Sequence, residues 1–290
     1  MEVLLSGLNS YLGKRAMSNL NRGEFHVHGI ARDLDLFRAK MLDEPTGSLD
    51  KVDLLRKGAE FETFKIHGGV QLAIYITHVP TLGEMVNLNL ELITLKNFIL
   101  LAERNGCKRV VYIARLMDKP YMGYIQKVLI ESGLTFTIVL KNLAIGKGSV
   151  LDKYMHQVIN SKYLPYDGDF ANIKFNPISA LDLIRWIYNV DWEKNFQNEL
   201  IEIGGPNTVT VRDIFRLYKK NLYPEATVKS FQVPGIFMKL WFKKLYKINK
   251  EDLIEFKRLM TMEYPIDNTT WKNIMLFSFT PLDQVIRLDQ

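Results

Sequence analysis

Three residues near the N-terminus have the types and spacing of a turn that binds a phosphate group. Gly7, Ser10 and Gly13 follow an apolar segment at residues 3–5 and precede a predicted helix at residues 14–21. A glycine lets the chain turn at the end of a strand, and small residues let backbone N–H groups approach an anion. A second glycine lets the helix pack closely with its positive N-terminus directed at that anion. The same residues also fit an ordinary turn between a strand and a helix.

The composition limits which other sites the chain can have, namely disulfides, metal sites and sites for charged partners. The chain has 290 residues, of which 47% are apolar and 24% charged, as in globular proteins with a sizeable core. The single cysteine, Cys107, excludes an internal disulfide and a multi-cysteine metal site and suits a reducing compartment. Five scattered histidines predict no metal site. The net charge of +6 is compatible with an anionic ligand, and we expect no nucleic-acid partner.

Nothing in the sequence predicts export or a membrane span. A strand predicted from residue 3 leaves no room for a signal peptide. The apolar stretch around residues 93–101 is too short to cross a bilayer. We therefore expect a cytoplasmic protein.

The first half of the chain alternates predicted strands with predicted helices. The predicted strands are residues 2–6, 25–31, 72–77, 109–114 and 135–140. The clearest helical patterns are residues 84–105 and 123–132, whereas residues 32–69 hold one weak strand at residues 51–55. This alternation predicts a parallel sheet with helices on both faces, in which ligands bind beyond the carboxyl ends of the strands. The turn after Gly7 lies at such an end.

The second half differs in its patterns. A helix is predicted at residues 180–190, a strand at residues 200–203 and a helix that begins after Thr210, the predicted N-cap. Residues 236–247 are basic and rich in aromatic residues, with an apolar stripe at helical spacing. Such a helix fits a lid over a substrate pocket, or a surface that docks onto an anionic membrane or a protein partner.

Four further segments follow the opening turn in a recognisable order. They are Asn-Gly-Cys-Lys-Arg-Val-Val-Tyr-Ile at residues 105–113, Glu-Ser-Gly-Leu-Thr-Phe-Thr at residues 131–137, Pro177-Ile178 with Asp182, and Ile-Glu-Ile-Gly-Gly-Pro at residues 201–206. Together they resemble the short-chain dehydrogenase/reductase superfamily, in particular its extended and atypical branches, the NmrA-like proteins and the nucleotide-sugar epimerases. The resemblance extends from residue 3 to about residue 215.

The resemblance implies an α/β fold, a Rossmann-type doubly wound parallel sheet with a smaller C-terminal lobe that covers the substrate. It assigns residues 1–145 to the NAD(P)-binding domain, to whose sheet a strand at residues 200–204 returns. Residues 146–290 then form mainly the substrate-binding lobe. The positions that the resemblance assigns to cofactor binding are Gly7, Asn9, Ser10, Tyr11, Leu12, Gly13, Arg32, Asp53, Leu54, Thr77 and His78.

Two of these assignments have a plain alternative each. Asp53 resembles the acidic residue that holds the adenine, but a surface aspartate before a core leucine has the same pattern. His78 follows the predicted fourth strand, where the family lines its cofactor, and it equally fits an ordinary loop histidine.

Asn97, inside the predicted helix, matches an asparagine that orders the neighbouring strand in the family. Its alternative is a solvent-facing polar residue.

The end of the second predicted strand bears on the choice of cofactor. NAD-preferring sites carry an acidic residue here, which binds the ribose 2′-hydroxyl and repels a 2′-phosphate. That position is occupied by Ala31 and is followed by Arg32, whose guanidinium can bind a phosphate through two hydrogen bonds. Lys14 or Arg15 could assist, so NADP(H) is favoured over NAD(H). A shift of two residues would put Asp33 there and reverse the preference.

The residues that carry catalysis in the superfamily are missing. The resemblance requires a serine after the fifth strand, but Ala114-Arg115-Leu116 stands there. No tyrosine in the following helix has a lysine four residues later. Tyr124 and Lys127 are the remaining candidate pair, because residues three apart share one helix face, although a surface tyrosine and lysine would look the same.

The sequence therefore predicts an atypical NAD(P)-binding member of this superfamily. Its activity would be that of an NADPH-dependent oxidoreductase, or of an epimerase-like protein that acts on a small-molecule substrate. The alternative is a non-catalytic protein that senses NADP(H) or takes part in assembly with a partner.

Overall fold

The computed structural model describes residues 1–41, 43–166, 172–190, 194–232, 266 and 269–288. The chain forms two compact units. The first contains Met1–Lys141, Leu183–Ile203 and Asn268–Phe277, and the second contains Asn142–Asp182, Gly204–Asp267 and Ser278–Gln290. The basic segment at residues 236–247 lies outside the described residues.

The first unit is built on seven strands. They are β1 (Glu2–Ser6), β2 (His26–Ala31), β3 (Ser48–Lys51), β4 (Leu72–Ile76), β5 (Arg109–Arg115), β6 (Thr135–Lys141) and β11 (Glu199–Ile203). Their order in the sheet is β11-β6-β5-β4-β1-β2-β3, and every pairing is parallel. The order reverses between β1 and β4, which is the position where ligands bind in open α/β sheets. This arrangement confirms the predicted Rossmann-type doubly wound sheet.

The helices of this unit connect its parallel strands. They are α1 (Tyr11–Asn19), α2 (Leu34–Arg38), α3 (Ala59–Thr63), α4 (Met85–Arg104), α5 (Met122–Ser132) and α7 (Ala180–Val190), of which α7 belongs to this unit from Leu183 onward. The short helix Thr269–Lys272 also belongs to this unit. A 3₁₀ helix, Leu116–Tyr121, links β5 to α5. The sequence placed the third strand at residues 51–55, which is wrong: it spans Ser48–Lys51 and is only half-buried, so it lacks the continuous apolar run of the inner strands.

Helix α4 packs in a layer against the inner strands. Leu95, Phe98 and Leu101 are fully buried, and so are the polar residues Glu91 and Asn97 to within a few per cent. By length and composition alone α4 could cross a membrane, so the prediction that this stretch is too short was wrong. This is weak evidence for a span, because a buried core helix meets the same test.

The second unit contains short strand pairs and three described helices. The strands are β7 (Ala144–Ile145), β8 (Tyr163–Tyr166), β9 (Lys174–Phe175), β10 (Ile178–Ser179), β12 (Val209–Thr210) and β13 (Lys229–Gln232), paired as β7–β10, β9–β12 and β8–β13. Helices α6 (Val150–Ser161) and α8 (Val211–Leu222) share an apolar core with Leu282–Leu288. Helix α8 begins at a capping box of Thr210 and Asp213, which confirms the predicted N-cap.

Candidate functional site

The turn between β1 and α1 is closed so tightly that two of its positions have room only for glycine. Gly7 has a φ of +85°, and a Cβ there would lie 2.1 Å from the Ile76 carbonyl oxygen. A Cβ at Gly13 would lie 2.2 Å from the Gly7 carbonyl oxygen. The first glycine therefore lets β1 turn against the end of β4, and the second lets α1 start directly on that turn.

Ser10 holds this turn together. Its Oγ donates to the Gly7 carbonyl at 2.8 Å and accepts from the Gly13 N–H at 3.0 Å, so it is the N-cap of α1. Asn9 is exposed, Ser10 is half-buried and Leu12 is buried. N–H groups of a first helical turn that lack intrahelical partners point outward and favour an anion. The sequence predicts a phosphate-binding turn here, and the structure places a tight glycine turn and the start of a helix at this position.

The end of β2 presents an arginine and a carboxylate that already has a partner. Arg32 follows the last strand residue and is exposed. Asp33 is the N-cap of α2, and its Oδ1 accepts from the Leu36 N–H at 2.9 Å. Arg15, predicted as a helper for a 2′-phosphate, is instead buried and bonds Asp43 at 2.8 Å. That part of the prediction was wrong, because α1 turns the side chain inward.

The predicted adenine-binding pair lies in the turn after β3. Asp53 accepts from the Leu55 N–H at 2.8 Å, so its carboxylate shapes this turn. Leu54 is buried, and its carbonyl accepts from the Asn97 Nδ2 at 2.6 Å. Asn97 is therefore not a solvent-facing residue. It fixes the backbone next to the predicted adenine position from helix α4.

Thr77 and His78 lie directly after β4, next to the opening turn. The Thr77 hydroxyl donates to the Ile113 carbonyl at 3.0 Å and ties β4 to β5. His78 Nε2 lies 2.6 Å from the Ser6 Oγ, and Ser6 is the residue before Gly7. His78 is exposed, but the protein around its ring desolvates it and lowers its pKa to about 4. The imidazole is therefore neutral at pH 7.

A buried carboxyl on α4 lies behind His78. The Glu91 Oε1 accepts from the Tyr112 hydroxyl at 2.9 Å, and its Oε2 accepts from the His78 N–H at 3.1 Å. Desolvation raises the pKa of Glu91 to about 7, and these hydrogen bonds and the charge of Arg115 oppose the rise in part. Sequence reasoning missed Glu91, since a lone glutamate in a helix is usually solvated.

The end of β5 carries an ion pair at the place where the resemblance requires a serine. The Arg115 Nε bonds the Asp118 Oδ2 at 2.7 Å, and the Asp118 carboxylate has no exposed surface. Asp118 also accepts from the Leu82 N–H at 3.1 Å, and Arg115 donates to the Pro80 carbonyl. The pair thus joins β5 to the loop after β4. It was not predicted, because each partner contacts a loop more than thirty residues away in the sequence.

The candidate catalytic pair lies on the outer face of α5. Tyr124 is 56% exposed. The Lys127 side chain is 76% exposed and faces the Glu131 carboxylate at 3.9 Å. The described ion pair of Lys127 is thus with Glu131, one turn further along the same helix, as on an ordinary solvated helix face. Among the described residues, no three His, Cys, Asp or Glu side chains lie close enough to bind one metal ion.

No family model matches the sequence, and no curated protein matches it. Solved structures do match over the whole chain. A nucleoside-diphosphate-sugar epimerase from Staphylococcus aureus is 16% identical with a TM-score of 0.63, covering 99% of this chain and 100% of its own. The UDP-glucuronic acid 4-epimerase from Bacillus cereus, in complex with UDP-glucuronic acid and NAD, is 13% identical with a TM-score of 0.68, covering 100% and 98%.

A third structure is the triphenylmethane reductase of a Citrobacter species, complexed with NADP(H). It is 12% identical with a TM-score of 0.67 and covers 100% of both chains. The chain has the fold of these enzymes. At such low identities the likeness concerns the fold, and it confirms at that level the resemblance to nucleotide-sugar epimerases and NmrA-like reductases.

Proposed function

We propose that the chain binds a nicotinamide dinucleotide at the turn between β1 and α1. The observation that carries the proposal is the pair Gly7 and Gly13, at each of which a Cβ would lie about 2 Å from a backbone carbonyl oxygen. This turn lies where the strand order reverses. Two of the similar structures are complexed with NAD or NADP(H), which supports the same ligand class here.

Within this proposal the preferred cofactor is NADP(H). Arg32 is exposed directly after β2, whereas Asp33 already caps its own helix through the Leu36 N–H. A guanidinium in this position attracts a 2′-phosphate, and no carboxylate stands at the last strand residue, Ala31, to repel it. Asp53, Leu54, Thr77 and His78 line the remainder of the proposed site.

We assign the cofactor to residues 1–145 with the strand at residues 200–204, and the substrate mainly to residues 146–290. The proposed activity is that of an atypical NADPH-dependent oxidoreductase or epimerase-like enzyme in the cytoplasm, acting on a small molecule. A bound nicotinamide would supply hydride transfer. For residues 236–247 we propose a lid over the substrate pocket, with docking onto a membrane or a protein surface as the alternative.

The second candidate function is a non-catalytic protein that senses NADP(H) or assembles with a partner. One observation favours it: Arg115 and Asp118 fill the serine position with a buried ion pair, while Tyr124 and Lys127 face solvent. A screen that follows NADPH absorbance with quinones and small carbonyls, together with chromatography of sugar nucleotides for epimerised products, separates the two, because an epimerase returns its hydride and leaves the absorbance unchanged. Turnover that disappears in Tyr124→Phe supports the enzyme. Tight binding without turnover of any class supports the sensor.

The cofactor proposal is tested by calorimetry with NADPH and NADH. We expect Arg32→Ala to weaken NADPH binding by roughly 10- to 100-fold, as loss of a charged phosphate contact does, and to leave NADH binding within about twofold. Arg38→Ala, an exposed arginine in the last turn of α2, is the matched control and should change neither. Absence of binding at millimolar concentration would overturn the proposal, and tighter NADH binding would overturn the preference.

A further inference from the structure

Burying the carboxyl of Glu91 carries a large desolvation free energy. It has no exposed surface, and desolvating a carboxylate costs several kcal/mol before hydrogen bonds offset it. Apolar residues of similar volume often replace buried charged groups without loss of stability. The groups that Glu91 binds, which are the Tyr112 hydroxyl and the backbone of His78 and Val79, indicate what the carboxyl does instead.

One of those groups is the backbone of His78. The Glu91 Oε2 accepts from the His78 N–H at 3.1 Å and so fixes the chain where it leaves β4. The other oxygen accepts from Tyr112, whose ring stacks on Tyr75 with centroids 5.6 Å apart. The Tyr75 ring in turn lies 4.8 Å from the His78 imidazole. The carboxyl is thereby held against both inner strands, β4 and β5.

The side chain of His78 is held by a different residue, Ser6. Ser6 bonds its Nε2 at 2.6 Å, and Ser6 is adjacent to Gly7 of the phosphate turn. Among the described residues no hydrogen bond is made to His78 Nδ1, and His78 is exposed. The imidazole therefore has one ring nitrogen bound to the protein and the other available to a ligand beside the turn.

We propose that Glu91 is a positioning residue of the dinucleotide site, which fixes His78 through its backbone N–H so that the imidazole, oriented by Ser6, presents Nδ1 to the bound dinucleotide. This inference rests on the proposed function and adds to it Glu91, a residue that does not touch the ligand but holds His78 in place. The interaction offered is one hydrogen bond from a neutral ring to a ribose hydroxyl or phosphate oxygen, with no proton transferred. Tyr75, Tyr112 and Arg115 are the other titratable groups that face this carboxyl.

A double-mutant cycle on NADPH affinity tests whether Glu91 affects binding through His78. His78→Ala should weaken NADPH binding about tenfold, the value of one hydrogen bond to a charged or ordered ligand. Glu91→Ala should weaken it by a similar factor. If Glu91 acts through His78, Glu91→Ala has no further effect in the His78→Ala background. Glu91→Gln keeps an oxygen for the His78 N–H and should bind within about twofold of the unmodified chain, which guards against a general loss of folding.

Nitrogen-15 NMR of the His78 ring without ligand provides a readout independent of binding. We expect one fixed neutral tautomer in the unmodified chain and in Glu91→Gln, and a mixed or altered tautomer in Ser6→Ala and Glu91→Ala. Additive effects in the cycle, or an unchanged tautomer in Glu91→Ala, would overturn the positioning role. Failure of the unmodified chain to bind NADPH or NADH would overturn the proposed function instead. The tautomer comparison would still decide whether Glu91 positions His78.

Discussion

The β1–α1 turn and the end of β5 lie in the same α/β unit, but only the turn has the residue pattern that the sequence predicts for a dinucleotide site. At the turn, Gly7 and Gly13 occupy positions that leave no space for a side chain, and Ser10 closes the loop between them. At the end of β5, the Arg115–Asp118 pair replaces the expected serine, and the tyrosine and lysine of α5 face solvent. Under the proposed function, this difference means that the chain can bind a dinucleotide without keeping the usual catalytic residues, because one fold can carry a binding site with or without the chemistry.

The largest expected effect is at the turn. Gly13→Ala would place a Cβ 2.2 Å from the Gly7 carbonyl oxygen, which forces either the turn or α1 to move. We expect NADPH binding to weaken by at least about 100-fold, since the anion-binding N–H groups move with the helix. The free energy of unfolding should fall by roughly 1–3 kcal/mol, as for other overpacked sites. Calorimetry and urea denaturation measure the two effects.

Gly123→Ala is the matched control for this substitution. Gly123 lies in the first turn of α5, and a Cβ there would meet no atom within 4 Å. The change should raise stability by about 0.5–1 kcal/mol, because alanine favours the helix, and leave NADPH binding unaltered. If Gly13→Ala binds NADPH as tightly as Gly123→Ala, the turn is not the phosphate site and the comparison fails.

The next effect concerns the end of β5, where we expect a structural rather than a chemical role. Asp118→Ala leaves the Arg115 Nε and the Leu82 N–H without their buried acceptor and should cost roughly 3 kcal/mol of unfolding free energy. Glu62→Ala breaks an ion pair of the same length, 2.7 Å, with Arg104, but on the surface. It should cost less than about 0.5 kcal/mol. Equal losses would mean that the Arg115–Asp118 pair stabilises nothing.

The third effect is a pH dependence of stability caused by Glu91. Its pKa of about 7 in the folded chain lies above the ordinary value of 4.5, so the folded state holds this proton more tightly. The contribution of protonated Glu91 to the free energy of unfolding is therefore complete below about pH 4.5. It is lost as the pH rises toward and through 7, and the free energy of unfolding falls by an amount on the order of 3 kcal/mol. Glu91→Gln should remove this loss, measured as unfolding free energies at pH 5 and pH 8.

His78 acts in the opposite sense over the lower part of the same range. Desolvation lowers the pKa of its imidazole below the ordinary value of 6.5, so it destabilises the fold as the pH falls below that value, but only weakly because the side chain is exposed to solvent. His78 is present in both proteins, so the difference in unfolding free energy between Glu91→Gln and the unmodified chain isolates the effect of the carboxyl. An identical pH profile for the two would contradict the raised pKa of Glu91.

The smallest expected effect is on α5. Tyr124→Phe and Lys127→Met remove an exposed hydroxyl and an exposed ammonium group, so NADPH affinity and unfolding free energy should stay within about 0.5 kcal/mol of the unmodified chain. Calorimetry and urea denaturation check both. Weaker binding in either variant would show that α5 reaches the ligand and would erase the contrast with the turn.

The sequence predicts those parts of the fold whose signal is local. Strands β1, β4 and β5 are continuous apolar runs, and α4 and α5 have helical periodicity over three or more turns, so their positions were predicted to within a residue or two. Strand β3 was misplaced because its four residues at the sheet edge are half-buried and carry no apolar run.

The residues of the candidate site also divide into those that the local sequence predicts and those that it does not. The turn at Gly7 was predictable because its requirements lie within seven residues of sequence. The partners of Glu91, Arg115 and Arg15 lie on other elements, and nothing in the local pattern distinguishes a buried charged residue from a solvated one. For such residues the tertiary contact, rather than the local sequence, determines the environment.

The pairing of β11 with β6 has a consequence for synthesis on the ribosome. Strand β6 is finished at Lys141, but its outer neighbour begins only at Glu199. Once β6 has left the ribosome, and until residues 199–203 have followed it, the nascent chain presents β6 as an open, largely apolar edge to other chains and to chaperones. A fragment that stops at residue 145 would keep that edge permanently, so we expect it to aggregate.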